Sequence, residues 1–312
     1  MTTLLPSLSS VKKSQGTGKH ILDLLEDSKA IATLPSIKSV LGELETLTQK
    51  GNIQLDEVAK LVRLDPGMSL LVLRMANSAF YAPRKPIMDV LDAILYIGLG
   101  GFRSAVLSMR CIEQTCHIKQ STLDWKDFWI HAAGVGHLTR ELAAHLKTRE
   151  LEPESYYLMG LLHDIGKVVL AHLKPDEFDQ IYLQAALEKK GPAQMETEIL
   201  GADHGEFGAR YLEKQGIPLA LREPIRFHHG WALGLQIHSK NALLIRLADR
   251  LTLHFQLGQS GNHADLSDPF LSDEWNWYLE NSRHADAAGT AIQETVLERV
   301  SRVADLVHNV IT

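Results

Sequence analysis

Apolar residues along most of the chain recur every three or four positions, the spacing that places them on one face of an α-helix. The pattern begins near residue 21 and persists almost to the C-terminal end. No stretch alternates with the period of two that a half-buried strand requires. Helix boundaries carry proline and glycine, as at Asp65-Pro66-Gly67, where Asp65 can cap a helix and Pro66 suits its first turn. The sequence therefore predicts an all-α fold with few strands or none.

The helical pattern divides the chain into four parts. Residues 1–18 are rich in Ser, Thr, Lys and Gly without periodicity and are predicted to form a flexible tail. A polar run at 117–124 separates an N-terminal helical lobe, 19–120, from a helical core, 121–257. A loop at 258–269 precedes a closing helix, and 258–312 is predicted to be a C-terminal extension. Predicted helices of the core and the extension span residues 124–146, 154–173, 176–189, 204–215, 218–228, 239–257 and 290–309.

An apolar segment of the core contains two adjacent ionisable residues, His163 and Asp164. Burying an imidazole and a carboxylate side by side is costly unless a partner charge or a metal ion compensates them. Lys167 lies one turn after His163 on the same predicted face. This segment alone is consistent with a hydrogen-bonded pair that orders the core. For an isolated His-Asp dipeptide this is the commoner case. The segment is also consistent with a metal site in which both side chains bind one ion and Asp164 bridges to a second.

Further histidines and one aspartate occupy apolar helical contexts elsewhere in the core. Each alone is more often an ordinary core or surface residue, but their order and context together favour a shared site. Nitrogen and oxygen ligands without cysteine suit one or two ions of Fe, Mn, Ni or Zn and argue against a structural zinc site. A carboxylate between two ions can serve hydrolysis of a phosphate ester. Besides His163 and Asp164, the candidate metal ligands are His131, His204, His228, His229 and Asp249.

Composition narrows the class of protein. The hydrophobic content of 45% and charged content of 22% are ordinary for a globular protein of 312 residues. The net charge of −6, without a Lys- and Arg-dense helix, argues against nucleic-acid binding. No apolar run approaches the roughly 20 residues that span a bilayer, and the N-terminus lacks the features of a signal peptide. The 2 cysteines are too few for a disulfide framework, so a cytoplasmic location and no membrane partner are expected.

The ordered ligand set, over residues 125–255, resembles the HD superfamily of metal-dependent phosphohydrolases. In that family the first His, a His-Asp doublet and a final Asp bind the catalytic metal. Asp127, one turn before His131, stands where some relatives carry a Glu and could add a carboxylate. The resemblance thus implies a multi-helical HD-domain core whose metal ligands are His131, His163, Asp164 and Asp249.

A second group of residues resembles the HD-GYP branch of the superfamily, which hydrolyses cyclic di-GMP. His204, His228 and His229 correspond to its second-metal ligands, and Lys167 stands where its lysine contacts phosphate. The segment after the histidine pair reads Gly230-Trp-Ala-Leu-Gly and lacks the Gly-Tyr-Pro signature. Specificity for cyclic di-GMP is therefore not implied.

Motifs spread in order over about 200 residues resemble the narrower HDOD family, an all-helical, HD-derived group. That resemblance implies a role in bacterial signalling, in pathways linked to cyclic dinucleotides or chemotaxis-type systems, and catalysis is not general in the group. Within one motif, Asn77 could touch a ligand, but capping a helix end is the preferred interpretation. The motifs are Leu34-Pro35, Leu64-Asp65-Pro66, Arg74-Met-Ala-Asn-Ser-Ala-Phe-Tyr81, Ala93-Ile-Leu-Tyr-Ile-Gly98, Glu196 with Leu200-Gly-Ala-Asp-His204, and Ile217-Pro218.

Three functions are weighed on this basis. The preferred one is a regulatory protein whose HD-type centre is retained and which acts by binding a signalling protein or a nucleotide. The alternative is an active phosphodiesterase on a cyclic dinucleotide or nucleotide, with Asp164 and Lys167 as catalytic residues. A purely structural helical protein leaves the retained ligands unexplained. Helices packed over His163 would favour regulation, and an opening of nucleotide size would favour hydrolysis.

Overall fold

The computed structural model describes residues 23, 25, 55–64, 66–115, 121–147, 149–230, 240–262, 267–283 and 290–311. Regular structure in these residues is helical, and the extended pairing among them is one isolated bridge between Leu146 and Ser282. The all-α prediction is confirmed. The predicted tail at 1–18 and the Leu34-Pro35 motif lie outside the described residues.

Short connections join the helices. The N-terminal part contains α1 (Leu55–Arg63), α2 (Pro66–Ala76) and α3 (Val90–Thr115). The central part contains α4 (Trp125–His145), α5 (Pro153–Leu162), α6 (Ile165–Leu173), α7 (Pro175–Glu188), α8 (Pro192–Leu200), α9 (His204–Lys214), α10 (Leu219–Phe227) and α11 (Lys240–His254). A 3₁₀ turn (Pro269–Leu271), α12 (Asp273–Asn281) and α13 (Thr290–Ile311) follow.

Two segments differ from the helices that the sequence predicts. The single helix predicted over 154–173 is two helices, because His163 and Asp164 form a turn in which Asp164 has φ −98° and ψ 10°. Helix α8 has no counterpart among the predicted helices. Its sequence does carry the signals of a short helix, with Pro192 at the first turn and Gly201 in the left-handed region (φ 81°) at the C-cap.

Helix α4 lies in the larger part of the core, where α5, α11 and α13 pack against it. Asp124 caps its N-terminal end by accepting hydrogen bonds from the backbone N–H groups of Lys126 and Asp127. The crossing of α4 over α5 is close because it is built on glycines. A Cβ on Gly160 would lie 2.7 Å from the Cα of Gly136. This contact fixes the end of α5 and hence the start of the turn that carries His163.

The N-terminal helices pack onto the same core. Helix α3 contacts α4 and α5, and α13 contacts both α4 and α2. Asn77, at the end of α2, donates from Nδ2 to the carbonyl oxygens of Leu73 and Ile87, each at 2.8 Å. Its Oδ1 accepts from the N–H of Ile87 at 2.8 Å. These bonds tie α2 to the segment before α3, which agrees with a structural role for Asn77.

The first part of α3, Val90–Met109, is long and apolar enough to cross a membrane by length and composition. This segment exceeds the apolar length expected from the sequence. However, 56% of its most apolar 18-residue stretch is buried inside the protein. Gly98 interrupts it with a non-helical φ of 75° and ψ of 166°. Both features are those of a helix in a protein core.

His137 is buried where α4 meets α5 and the N-terminal part. Its ring lies 4.8 Å from the Tyr157 ring and 5.8 Å from the Phe80 ring, centroid to centroid. Arg140 donates to His137 Nδ1 at 3.2 Å, so this nitrogen carries no proton. Burial, with the Arg140 charge beside it, lowers the pKa of His137 well below 6.5. The folded protein therefore holds this ring neutral.

We expect the His137→Gln variant to lose less stability than the wild type on acidification. Below the ordinary histidine pKa of 6.5 the unfolded chain binds a proton that folded His137 does not. This costs the wild type about 1.4 kcal/mol of unfolding free energy for each pH unit below that value. Glutamine keeps an acceptor for Arg140 and does not titrate. Urea unfolding at pH 7.5, 6.5 and 5.5 measures the difference, and parallel pH profiles of the two proteins would contradict the assignment.

Candidate metal centre

His131 and Asp249 face each other from two packed helices. His131 lies on the buried face of α4, and Asp249 lies on α11, which packs against it. The distance from His131 Nε2 to Asp249 Oδ1 is 3.1 Å. His163 Nε2 lies 4.0 Å from the same oxygen. The crossing of α4 and α11 therefore brings His131 and Asp249 together, and His163 lies beside them.

His163 and Asp164 occupy the turn between α5 and α6, and this turn aims both side chains inward. Asp164 is surrounded on both of its oxygens. Its Oδ2 lies 2.7 Å from Lys167 Nζ and 3.3 Å from His163 Nε2. Its Oδ1 lies 2.9 Å from His204 Nε2 and 3.8 Å from His228 Nε2. Asp164 thus stands between two sets of imidazoles.

His204 reaches Asp164 because α9 crosses α6 at a glycine. A Cβ on Gly166 would lie 1.8 Å from the backbone oxygen of His204, so no other residue fits without moving a helix. Asp203 caps α9 by accepting from the N–H of Glu206, and His204 follows as the first residue of the helix. The sequence places a cap and a small residue at the two positions that this contact needs.

The described residues contain two overlapping groups whose ligand atoms lie within 4.8 Å of one another. Asp164 belongs to both. His229 Nε2 lies 2.7 Å from His204 Nε2, which adds a fourth side chain to the second group. The first group is His131, His163 and Asp164, with Asp249 beside it, and the second group is Asp164, His204, His228 and His229. All seven, called the ligand cluster below, were candidates from the sequence.

Hydrogen bonds on Nδ1 fix which nitrogen faces the cluster. His163 Nδ1 lies 2.7 Å from the Gly160 carbonyl oxygen, and His228 Nδ1 lies 2.6 Å from that of Ile225. A carbonyl oxygen accepts and cannot donate, so each Nδ1 carries the proton. In the neutral rings Nε2 then presents a lone pair towards the cluster. This is the arrangement of histidines that bind metal ions.

Several buried atoms of the cluster have no hydrogen-bond partner within the described part of the chain. They include His228 Nε2 and His131 Nδ1. Such buried polar atoms are rare because each costs free energy when it loses water. Here the lone pair of His228 Nε2 also faces the Asp164 carboxylate at 3.8 Å, which is repulsive unless a cation lies between them. The donor set therefore fits divalent transition-metal ions.

The surrounding charges keep the carboxylates ionised despite their burial. Burial alone would raise the pKa of Asp164, but the adjacent His163 ring and the Lys167 ammonium hold it well below 3.8. Burial would likewise raise the pKa of Asp249, but His131 lowers it to about 2. Both side chains are therefore anionic near neutral pH, as metal ligands must be.

The histidines of the second group are held in different charge states. Burial lowers the pKa of His204, but the Glu196 and Asp164 carboxylates raise it to about 9. Burial lowers the pKa of His228, and it lowers that of His229 well below 6.5. Since a ligating imidazole is neutral, a metal ion would have to displace the proton of His204.

Lys167 is enclosed together with Asp164. Besides its ion pair with Asp164, its Nζ donates to the backbone oxygen of Ser260 at 2.9 Å and to its hydroxyl at 3.2 Å. The Ser260 segment lies directly on α4, since a Cβ on Gly258 (φ 70°) would lie 2.4 Å from the backbone nitrogen of His131. The boundary predicted between 121–257 and 258–312 therefore places Lys167 and Ser260 in different parts of the chain, although the two residues are in contact.

Three residues at the centre are absent from the sequence-based candidates. Ser260 lies in a loop without periodicity and carries no signal. Glu196 accepts from His204 Nδ1 at 2.6 Å, and Tyr182 donates to Glu196 at 3.0 Å. Glu196 did stand in a recognised motif, but nothing in its spacing indicates a contact with His204. In contrast, the Asp127 side chain is exposed and lies outside both groups of ligands.

Comparisons with known proteins identify a family for this chain. A family model for the HDOD domain matches residues 34–231. An uncharacterized protein from Treponema pallidum (strain Nichols) is 27% identical over 200 residues, which cover 64% of this chain and 38% of that protein. The chain thus spans well under half the length of this curated relative.

Several solved structures resemble this fold over most of the chain. An HDOD domain protein with unknown function from Geobacter sulfurreducens has a TM-score of 0.71 at 22% identity, covering 92% of this chain and 98% of that one. A protein from Shewanella amazonensis SB2B, named as a candidate phosphohydrolase, has a TM-score of 0.65 at 21% identity, covering 92% of this chain and 98% of that one. A protein from Marinobacter aquaeolei VT8, named as a candidate signal transduction protein, has a TM-score of 0.68 at 18% identity, covering 97% of this chain and 68% of that one.

At these identities the solved structures show the fold alone, and the family assignment rests on the family model. The match over 34–231 covers more than half of the chain. It includes the His-Asp turn, His204 and the histidine pair. The chain belongs to the HDOD family.

Proposed function

We propose that this protein is a bacterial signalling protein that binds divalent metal in its HD-type centre and regulates a partner instead of turning over a substrate. The observation that carries the proposal is a complete ligand set enclosed by helices. His163 is 1% exposed and Lys167 2% exposed. The set supports metal binding, and its enclosure supports regulation.

The two groups of the ligand cluster would hold two ions, one in each group, and Asp164 belongs to both groups. Ions of Fe, Mn, Ni or Zn match the nitrogen and oxygen donors, which include no cysteine. When bound, such ions act as Lewis acids and lower the pKa of a coordinated water. The chain's own contribution is to hold the Nε2 lone pairs in place through the Nδ1 bonds and to exclude bulk water.

The position of Lys167 favours regulation over hydrolysis. A lysine that stabilises a phosphoryl group needs free N–H donors directed at the substrate. The Lys167 ammonium has three, and Asp164 and the two Ser260 oxygens accept from them within 3.2 Å. A phosphate could use this side chain after the Ser260 loop moves away.

A phosphohydrolase remains the second candidate, and one observation favours it. His229 is partly exposed, so the second group approaches the surface. The name of the Shewanella amazonensis relative is consistent with this activity. In this case the cluster would act on a phosphodiester or nucleotide.

The expected partners follow from the family and the chain's charge. A signalling protein or a cyclic dinucleotide fits a family found in signalling, as the name of the Marinobacter aquaeolei relative also indicates. The net charge of −6 does not favour nucleic acid. A cytoplasmic location suits a chain with 2 cysteines.

Anaerobic reconstitution with Mn²⁺ or Fe²⁺ tests the proposal. We expect two ions per chain by elemental analysis. We also expect no turnover of cyclic dinucleotides or of bis(4-nitrophenyl) phosphate above the level of the Asp164→Asn variant. Turnover that the variant lacks would make the protein a phosphohydrolase. An ion content near zero would contradict the metal centre itself.

A further inference from the structure

Glu196 is a fully buried carboxylate behind the second group of ligands. Its side chain is 0% exposed and lies between α8 and the start of α9. Oε2 accepts from the backbone N–H of His204 at 2.7 Å and from His204 Nδ1 at 2.6 Å. Oε1 accepts from the Tyr182 hydroxyl at 3.0 Å. Both oxygens are therefore hydrogen-bonded.

The surroundings of Glu196 hold it rigidly. Tyr182 belongs to a small apolar cluster with Phe178, Met195 and Phe207, so the hydroxyl has little freedom to turn elsewhere. Burial, followed by the Glu196 charge, raises the pKa of Tyr182 well above 10, which keeps the hydroxyl a donor. A carboxylate that is buried must be matched by such donors, because it has lost its water.

The two groups of the ligand cluster differ in the hydrogen-bond acceptors that their histidines meet at Nδ1. In the first group His163 Nδ1 donates to the neutral Gly160 carbonyl oxygen, and His131 Nδ1 has no hydrogen-bond partner within the described residues. In the second group His204 Nδ1 meets a carboxylate. An imidazole that donates to a carboxylate is held in one tautomer and is a stronger base at its other nitrogen.

We propose that Glu196 is a positioning residue that selectively strengthens ion binding in the second group, by holding Nδ1–H of His204 and making its Nε2 a better donor. Tyr182 acts through Glu196 by fixing the carboxylate. This inference rests on the proposed metal centre. It predicts that the two ions differ in affinity, and that Glu196 affects one of them.

A purely structural role is the competing explanation. Glu196 also accepts from the His204 backbone N–H at the start of α9, so its loss could loosen that helix. A structural role predicts lower stability and weaker binding of both ions, because α9, α6 and Asp164 pack together. The proposed role predicts that one ion keeps its affinity. Affinity for each ion separates the two explanations.

The experiment is a titration with Co²⁺ followed by its visible absorption, with chelator competition to obtain each affinity. The variants are Glu196→Gln, Tyr182→Phe and the matched control Glu198→Gln, two residues along α8 on its exposed side. In Glu196→Gln we expect one ion to bind as in the wild type and the other about 10- to 100-fold more weakly. Tyr182→Phe, which keeps the carboxylate, should weaken the same ion by a smaller factor, and Glu198→Gln should match the wild type.

The outcomes distinguish the inference from the function on which it rests. If the wild type binds two Co²⁺ ions and Glu196→Gln binds both with unchanged affinity, or loses both equally, the positioning role is wrong. If the wild type binds no Co²⁺, the metal centre itself is wrong. Should Glu196→Gln fail to fold by circular dichroism, Tyr182→Phe decides, since equal affinities in this variant and the wild type would also overturn the proposal.

Discussion

The Asp164→Asn variant is expected to lose both ions from the centre. Asp164 lies within reach of His163 through Oδ2 and of His204 through Oδ1, so one carboxylate serves both groups. Asparagine removes the negative charge and replaces one ligand oxygen by an NH₂ group. Mutation of a residue that hydrogen-bonds to a metal ligand lowers metal affinity by about 10- to 100-fold. Removal of a ligand shared by both groups should therefore lower the affinity for each ion by more than about 100-fold. Elemental analysis after chelator competition measures this.

A folded control is needed because Asp164 also neutralises Lys167. Removing one partner of a buried ion pair costs about 3–5 kcal/mol when the other charge remains buried. Asp176→Asn, an exposed aspartate in the first turn of α7, controls for the chemistry of the substitution. The double variant Asp164→Asn with Lys167→Met should recover stability and still bind no metal. Retention of one ion by folded Asp164→Asn would show that the two groups do not share this ligand.

The ligand cluster could be predicted from the sequence because its members stand out locally. Asp249 and the His163-Asp164 pair are polar residues within apolar runs, and a buried charge requires a reason. The break between α5 and α6 could not be predicted in this way. Almost every position around it is apolar, so periodicity gives no sign of a turn at His163. The helical spacing of about 3.6 residues runs across it and predicts one continuous helix.

The residues that hydrogen-bond to the ligands and to Lys167 could not be predicted from the hydrophobic pattern, for a different reason. Glu196 and Glu198 are two positions apart in the same short helix, and one is buried while the other is exposed. Their difference depends on the orientation of α8 against α9, which the left-handed turn at Gly201 sets. Ser260 depends likewise on where a loop folds back over α4. Such contacts arise from the packing of distant elements, which periodicity does not encode.

The second large effect is expected at Gly166, where α6 and α9 cross. A methyl group there would lie 1.8 Å from the His204 backbone oxygen and 2.8 Å from the Gly208 backbone nitrogen. Backbone atoms of two packed helices cannot rotate away, so the helices must separate by roughly 1.5 Å to restore van der Waals distances. Gly166→Ala should therefore reduce the free energy of unfolding by about 3 kcal/mol or more. It should also withdraw His204 from Asp164 and release the ion of the second group.

Gly100→Ala is the matched control, since a methyl group there also meets an atom at 1.8 Å, the Oε1 of Glu154. That atom ends a flexible side chain and can move aside. Alanine also favours a helix over glycine by up to about 1 kcal/mol. We expect Gly100→Ala to be as stable as the wild type or slightly more so, with an unchanged ion count. Urea unfolding and elemental analysis of both variants give the comparison. The two substitutions add the same group at the same distance from a neighbouring atom, and they differ in whether that atom can move away. If both variants lost the same stability and the same ions, the α6–α9 crossing would not be what places His204 beside Asp164.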